Sequence, residues 1–411
     1  MQVSRFIAQR LLPGQGAQNP FSGPVVRIAI IAVALSIGMM MVTVATGRGL
    51  QQKIREKLAA FNGHIQIQAF TDNASEVSVQ PISTHQPFFP HPQPYLPGIA
   101  RIDAVVLKAG MLRTQQAFEG MVFKGVNRSY PFDRLLPYIT AGRMPRFGDA
   151  MSDEVLLSTT LAKRLQLRVG QNVSAFFMKT ESEGYFARSF TIVGLYDSGI
   201  QEFDALHVLG DIRHVQRMNH WRPDQVGRFE LFATDWEQLP QTTAAVYAKT
   251  GSWLDARSIA DTYYFIFEWL KLFDINIWMI IGIMLLVSTI NMVVLLLVLI
   301  LERTKMIGLL KALGMPQTQL RQLFLHLALH ILGRGLLWGN AVALLLLGVQ
   351  WKWQWVHLPP ENYYVTTAPV AFEPLWWIGL NLGTVLVCLL VLLIPARMIA
   401  SISPARVMHF D

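Results

Sequence analysis

Residues Glu302–Leu320, ERTKMIGLLKALGMPQTQL, follow one long apolar run, Ile275 to Leu301, and precede another that begins near Leu323. A connection between two membrane crossings is expected to be irregular, yet this one carries helical spacing. Met306, Ile307, Leu309, Leu310 and Leu313 supply apolar faces, and Arg303, Lys305 and Lys311 supply positive charge. Gly314 stands where a helix takes a left-handed C-terminal residue, and Pro316 stops its continuation. A basic amphipathic helix pinned between two spans belongs at the cytoplasmic surface, where Lys and Arg accumulate. Two readings stay open at this level. One is a solvated, membrane-hugging loop; the other is a docking helix that takes force from a cytoplasmic partner.

Composition agrees with a chain built around membrane crossings. The 411 residues have a mean hydropathy of +0.34, with 52% hydrophobic and 15% charged. That is too apolar for an ordinary soluble protein and too mixed for spans alone, so one sizeable water-exposed domain is expected. The net charge of +8 sits at the span flanks, on Arg5, Arg10, Arg27, Arg303, Lys305, Lys311, Arg397 and Arg406. It therefore reads as membrane topology and not as a nucleic-acid footprint. The single cysteine, Cys388, lies in an apolar run, which excludes an intrachain disulfide and makes it a small hydrophobe.

Outward from the opening stretch, the chain divides as follows. Residues 1–24 form a cytoplasmic N-terminal segment with a short basic helix, and 25–48 form span 1, continued as helix to about 61. The run is longer than a signal-peptide core, so a retained anchor is predicted. Residues 62–262 form a large domain with strand alternation at 64–70, 100–110, 154–158, 171–178 and 189–196, and short helices at 157–167, 211–218 and into 245–250. Without βαβ regularity this predicts an α+β domain. Within it, 178–188 (MKTESEGYFAR) reads as a projecting hairpin with Tyr185 and Phe186 packed at its tip. A long helix with span 2 covers 263–301, and the opening stretch covers 302–320. Span 3 is 321–350, with Gly333, Gly335 and Gly339 for close helix packing and Arg334 as an internal charge. A tryptophan-bracketed loop takes 351–373, span 4 takes 374–396, and a tail takes 397–411. The expected fold is a membrane protein of four transmembrane α-helices, with a large α+β periplasmic domain between spans 1 and 2 and a cytoplasmic helix between spans 2 and 3. Both termini are then cytoplasmic.

Enzymatic motifs are missing. The chain has no phosphate-binding G-x-x-x-x-G-K-[ST] loop and no G-x-S-x-G elbow. His326 and His330 share a helical face, but HLALH lacks the glutamate of a zinc-protease motif. Glu202, Asp204, His207, Asp211 and His214 cluster in sequence and read as a solvated loop in preference to a metal site. No catalytic residue, metal site or enzymatic activity is predicted. Met39, Met40 and Met41, with Phe265, Phe267, Trp269 and Phe273, lie near the outer ends of spans 1 and 2. Such sets usually pack; a lipid-accommodating pocket is the sharper alternative.

Two motifs together carry a resemblance. ERTKMIGLLKALGMPQTQLRQLF resembles the coupling helix of the FtsX/MacB/LolC–LolE superfamily of ABC-transporter permeases, and PARMIASISPARVMHF resembles that family's closing pattern. The four-span plan is similar as well, so the resemblance covers essentially the whole chain. The lipoprotein-releasing LolC/LolE branch looks closest: no ATPase domain is fused, and ENYYVTTAPV resembles its aromatic pair followed by a proline.

The resemblance implies a permease subunit of an ATP-driven complex in the bacterial inner membrane. That complex extracts lipoproteins and passes them to a periplasmic carrier for outer-membrane sorting. It implies a LolD-like cytoplasmic ATPase docked on Glu302, Arg303, Lys305, Met306, Leu309, Lys311 and Leu313. ATP and magnesium would sit on that ATPase, with no cofactor on this chain. It further implies a second permease subunit, a lipoprotein cavity taking in Met39 to Met41, the four aromatics, Tyr363 and Tyr364, and a LolA-like carrier. The carrier-contact hairpin would use Lys179, Glu181, Tyr185, Phe186 and Arg188. Two departures stand out: the hairpin lacks the Pro-Met-Gly tip, and Met306 replaces the usual glutamate. The alternatives are a MacB-like peptide or drug exporter and an FtsX-like signalling subunit that controls an envelope hydrolase.

Overall fold

The computed structural model of the protein describes residues 22–70, 80–179 and 184–398. Most of the predicted N-terminal segment, Glu181 and nearly all of the tail lie outside the described residues. The chain forms two units: one takes the residues up to 52, 269–357 and from 367 on, and the other takes 53–268 and 358–366.

The first unit is a helical bundle. It is built from α1 (Ser22–Asn62), which also enters the second unit, and from the long helices at Tyr264–Glu302, Gln317–Trp353 and Pro374–Met398. Each contains a stretch apolar and long enough to cross a membrane. Continuous helix is the expected solution there, because hydrocarbon offers backbone N–H and C=O groups no other partner. Span 1 meets span 3 through glycines. A side chain at Gly335 would begin 2.7 Å from the Val33 Cβ, and one at Gly339 would begin 2.6 Å from the Ala34 carbonyl and collide with Ile37. This Gly-x-x-x-Gly pair lets two backbones approach and gain dispersion contact that larger residues would block. Spans 3 and 4 are joined by a reciprocal amide pair: Asn340 Nδ2 donates to Asn381 at 2.7 Å, and Asn381 Nδ2 donates back at 3.1 Å. Arg334 is kept on the exposed face of its helix.

The second unit is a mixed α+β domain. In chain order its elements are β1 (Ile65–Ala69), β2 (Ile82–Ser83), β3 (Ile99–Arg113), β4 (Phe118–Val126), β5 (Ile139–Gly142), β6 (Glu154–Ser158), α2 (Thr159–Arg164), β7 (Asn172–Met178), β8 (Tyr185–Tyr196), α3 (Gln201–Asp204), β9 (His207–Asp211), α4 (Ile212–Met218), β10 (Gln225–Val226), β11 (Arg228–Ala233), α5 (Leu239–Thr250), β12 (Leu254–Ser258) and α6 (Ile259–Thr262). Ten strands form one sheet in the order β12-β1-β11-β3-β4-β9-β6-β8-β5, with β7 paired to both β3 and β8. That double pairing closes β3, β4, β9, β6, β8 and β7 into a ring, which removes their free edges. Phe123, Phe177 and Phe190 pack against one another in the core of this domain, with ring centroids 5.1 to 6.5 Å apart. The four predicted strands at 64–70, 154–158, 171–178 and 189–196 and the long β3 are present. β2, β4, β5, β9, β10, β11 and β12 were not foreseen.

Charge is also buried in this domain. Lys124 and Glu230 are both fully enclosed, 2.7 Å apart, with Arg228 3.1 Å from the same carboxylate. Lys124 also donates to the Phe61 carbonyl, near the end of α1. Burial lowers the Lys124 pKa from its ordinary value while Glu230 opposes the shift.

The glycine contact gives a direct test. Gly339→Leu is expected to destabilise the purified protein by about 1–3 kcal/mol through overpacking, seen as a lower thermal midpoint in detergent. Gly333→Leu, where an added Cβ meets nothing within 4 Å, should leave the midpoint unchanged.

Candidate functional site

The helices that carry the site continue in chain order as α7 (Tyr264–Glu302), α8 (Thr304–Ala312), α9 (Gln317–Trp353), α10 (Pro360–Tyr363) and α11 (Pro374–Met398). The stretch 302–320 is a helix, a turn and the start of another helix. α8 is separated from α7 by Arg303 (φ −101°, ψ 15°). At its other end Gly314 takes φ +86°, its N–H donates to the Lys311 carbonyl, and the Met315 N–H donates to the Leu310 carbonyl, each at 3.0 Å. This is the paired bonding of a Schellman cap, for which glycine is suited. Pro316 then acts as the N-cap of α9, where its missing N–H costs nothing.

The faces of α8 differ. Ile307 is fully buried in the bundle, with Met306, Leu310 and Met315 packed against the same cluster. Leu309 and Leu313 are 58% and 76% exposed, and Lys305 and Glu302 are exposed too. The exposed face of α8 therefore carries leucines beside charged residues, an amphipathic surface. Met306 points instead toward the bundle, where a thioether packs and a carboxylate would be desolvated.

The bundle contains an apolar cavity of about 510 Å³ between spans 1, 2 and 4. Met40 contributes from α1, Trp278, Ile281 and Leu285 from α7, and Trp376, Gly379 and Gly383 from α11. The two glycines hollow it, because a Cβ at either would meet nothing within 4 Å. Trp376 to Val387 spans twelve residues of α11, a rise of roughly 17 Å at 1.5 Å per residue, or about half of a hydrocarbon core. At the end where α11 begins, polar groups clamp the helices. Arg48 of α1 pairs with Glu373 at 3.2 Å and lies 4.4 Å over the Trp376 ring, which in turn contacts Trp278 at 5.7 Å. Gln51 donates to the Leu270 carbonyl and to Asp274 at 3.1 and 3.0 Å.

Of the methionines and aromatics singled out in the sequence, Met40 is the one that lines this cavity. Met41 is buried beside it in the bundle core, and Met39 is exposed. Phe265 is 87% exposed, Phe267 stacks on Trp236 at 5.5 Å, and Trp269 contacts Phe273 at 4.8 Å. Tyr363 and Tyr364 belong to the 358–366 segment of the α+β unit. There Tyr364 has φ +57°, and its carbonyl accepts from Lys57 Nζ at 2.8 Å. The residues missed by sequence reading are Trp278, unremarked inside span 2, Trp376, taken for an interfacial aromatic, and the Gly379–Gly383 pair, whose spacing of four was a readable signal.

The β7–β8 pairing extends to Met178 opposite Tyr185. Both are exposed there, while Tyr185 packs its edge on Phe176 at 5.3 Å and Lys179 lies over Phe186 at 5.4 Å. Arg188 pairs with Ala175 on the facing strand. Both aromatics therefore have partners within the hairpin.

The 202–214 cluster is not a solvated loop, apart from Glu202, which is exposed. Asp204, His207, Asp211 and His214 are buried, because strand β9 runs through the sheet interior. Asp204 accepts from the Ser198 N–H and hydroxyl and from the Gly199 N–H, and burial raises its pKa to about 6. His207 stacks on Phe203 at 3.9 Å, and burial lowers its pKa to about 3. Asp211 caps α4, and His214 Nε2 lies 2.9 Å from the Ser152 carbonyl. Among the described residues no three His, Cys, Asp or Glu side chains gather as metal ligands.

Two family models match the chain. The MacB-like periplasmic core domain matches residues 28–252, more than half of the chain, and the FtsX-like permease C-terminal model matches 278–404. The chain belongs to the FtsX/MacB family of ABC-transporter permeases. No curated protein matches it. Among solved structures, the permease is similar to the extracellular domain of the noncanonic ABC-type transporter YknZ from Gram-positive bacteria, at 12% identity over 47% of this chain and 99% of that one, with a TM-score of 0.33. It is also similar to the periplasmic region of MacB from Actinobacillus actinomycetemcomitans, at 13% identity over 50% and 92% and a TM-score of 0.34. Membership rests on the two family models. It implies a cytoplasmic ABC ATPase as partner and a dimeric permease.

The buried histidines set a pH dependence. His207 at about 3 and His64 at about 4 lie below the ordinary imidazole value, so their stabilisation is complete above about 6.5 and is lost as pH falls toward 3 to 4. Asp204, raised to about 6, acts oppositely: its contribution is complete below about 4 and is lost as pH rises to 6. His207→Gln in the full-length permease should lower the slope of stability against pH by about 1.4 kcal/mol per unit between pH 4 and 6. Thermal melting across that range checks this; equal slopes for the two proteins would contradict it.

Proposed function

We propose that this permease is a membrane subunit of an ATP-driven complex that extracts lipoproteins from the inner membrane and hands them to a periplasmic carrier. The observation that carries the reading is the apolar cavity between spans 1, 2 and 4. It has the volume of a small-molecule site, it is lined almost wholly by hydrocarbon and indole, and it is half a membrane deep. An acyl chain is the ligand that such a slot suits. Because each buried CH₂ is worth about 0.8 kcal/mol, an acylated protein leaves the membrane slowly unless work is done on it. Exposed Leu309 and Leu313, with Lys305, support docking of a separate ATPase that carries the ATP and magnesium. The second permease subunit, and the carrier that would meet the β7–β8 hairpin, complete the assembly proposed.

Extraction in mild detergent should yield the permease together with an ABC ATPase and acylated lipoproteins, and depletion should leave outward-bound lipoproteins in the inner membrane. Normal lipoprotein sorting after depletion would refute the reading. Gly383→Leu fills the cavity without a clash. It should reduce co-purified lipoprotein at least about tenfold, since excluding two CH₂ groups already exceeds 1.4 kcal/mol. Its thermal midpoint should stay at or above that of the wild type.

A further inference from the structure

A polar clamp lies at one end of the cavity. Glu373 immediately precedes Pro374, where α11 begins, and Trp376 three residues later is a cavity wall. Arg48 stands two turns beyond Met40 on α1, about 12 Å along the helix. Its guanidinium lies 4.4 Å from the Trp376 ring centre, and its Nη1 lies 3.2 and 3.5 Å from the two Glu373 carboxylate oxygens. One face of the cation is thus covered by indole and one edge is neutralised by carboxylate. The pair is still reachable, with the side chains 31% and 40% exposed. Asp274 adds a second carboxylate at this end, one turn before Trp278 on α7 and held by Gln51, with Lys271 three residues farther out.

We infer that the Arg48–Glu373 pair selects which lipids enter the cavity, admitting acyl anchors with an uncharged head and turning away phospholipids; the inference rests on the lipid-extraction reading above. An acylated protein anchor presents ester and amide groups at the head of its chains. These can accept from the guanidinium edge without separating it from Glu373. A phospholipid brings a phosphate to the same place. To bind there it must draw Arg48 off Glu373, which leaves an unpaired carboxylate beside a second anion, and like charges at close range are strongly disfavoured. Discrimination by a repulsive element suits a site whose attractive part, the apolar slot, treats all acyl chains alike.

The test is the lipid content of the full complex purified in mild detergent, with phospholipid and lipoprotein per permease quantified by mass spectrometry. Glu373→Gln keeps the shape and frees the Arg48 charge, so bound phospholipid should rise about threefold or more, in line with removal of one partly exposed charge interaction. The double variant Arg48→Gln, Glu373→Gln removes the cation as well and should bind less phospholipid than the single variant. Unchanged phospholipid in Glu373→Gln with lipoprotein retained overturns the selector. An equal rise in both variants also overturns it, since loss of the clamp alone would then suffice. A wild-type complex without lipoprotein would instead remove the extraction reading. If the single variant does not assemble, competition on the wild-type complex decides. Diacylglycerol should displace a bound triacylated peptide several-fold more effectively than phosphatidylglycerol, and equal displacement by the two overturns the proposal.

Discussion

Hydrocarbon gives a polar group no water to fall back on, and that constraint accounts for most of the bundle. Many of the polar side chains described inside it are tied locally or across helices. Ser36, Thr46, Thr289 and Thr384 return their hydroxyls to carbonyls four residues earlier. Asn340 and Asn381 satisfy each other, and Gln51 bridges α1 to α7. Charge stands at both ends, with Arg48 and Glu373 at one and Glu302, Arg303 and Lys305 at the other, while Arg334, within span 3, lies on an exposed helix face. The α+β domain solves the related problem differently. There Lys124 and Arg228 share the Glu230 carboxylate inside the sheet, an arrangement costly to break at about 3–5 kcal/mol once formed.

Glycine is used in two opposite ways in the same bundle. At Gly335 and Gly339 the missing side chain is filled by another helix, which fixes span 3 on span 1. At Gly379 and Gly383 it is left unfilled, and the unfilled volume is the cavity. The spacing of four is common to both pairs, so the pattern announces a smooth helix face without saying whether a helix or a ligand will cover it. That ambiguity is physical.

Much of the fold was legible for a simple reason: long apolar runs have few solutions in a membrane, and the four spans follow from length alone. The turn between spans 2 and 3 was readable from Gly314 and Pro316, although Pro316 begins α9 as much as it ends α8. Strands β4, β9 and β11 escaped notice because they are buried along most of their length and so lack alternation. They also carry Lys124, His207, Asp211 and Glu230, which look like surface residues until their partners are known. The same effect made 202–214 read as loop. The cavity was half visible: methionines near the outer end of span 1 pointed to the right region, and Met40 lines it. Its other walls depended on how α11 packs against α7, which periodicity does not encode.

The central claim is that the slot between spans 1, 2 and 4 holds the acyl chain of a protein anchor. A photo-crosslinking residue placed at Ile281, on the cavity wall, tests it most directly when compared with one at Ile290, exposed elsewhere on α7. Irradiating cells that carry each variant should attach an acylated lipoprotein to position 281 and only bulk lipid to position 290. Equal lipoprotein capture at both positions, or none at 281, would contradict the account.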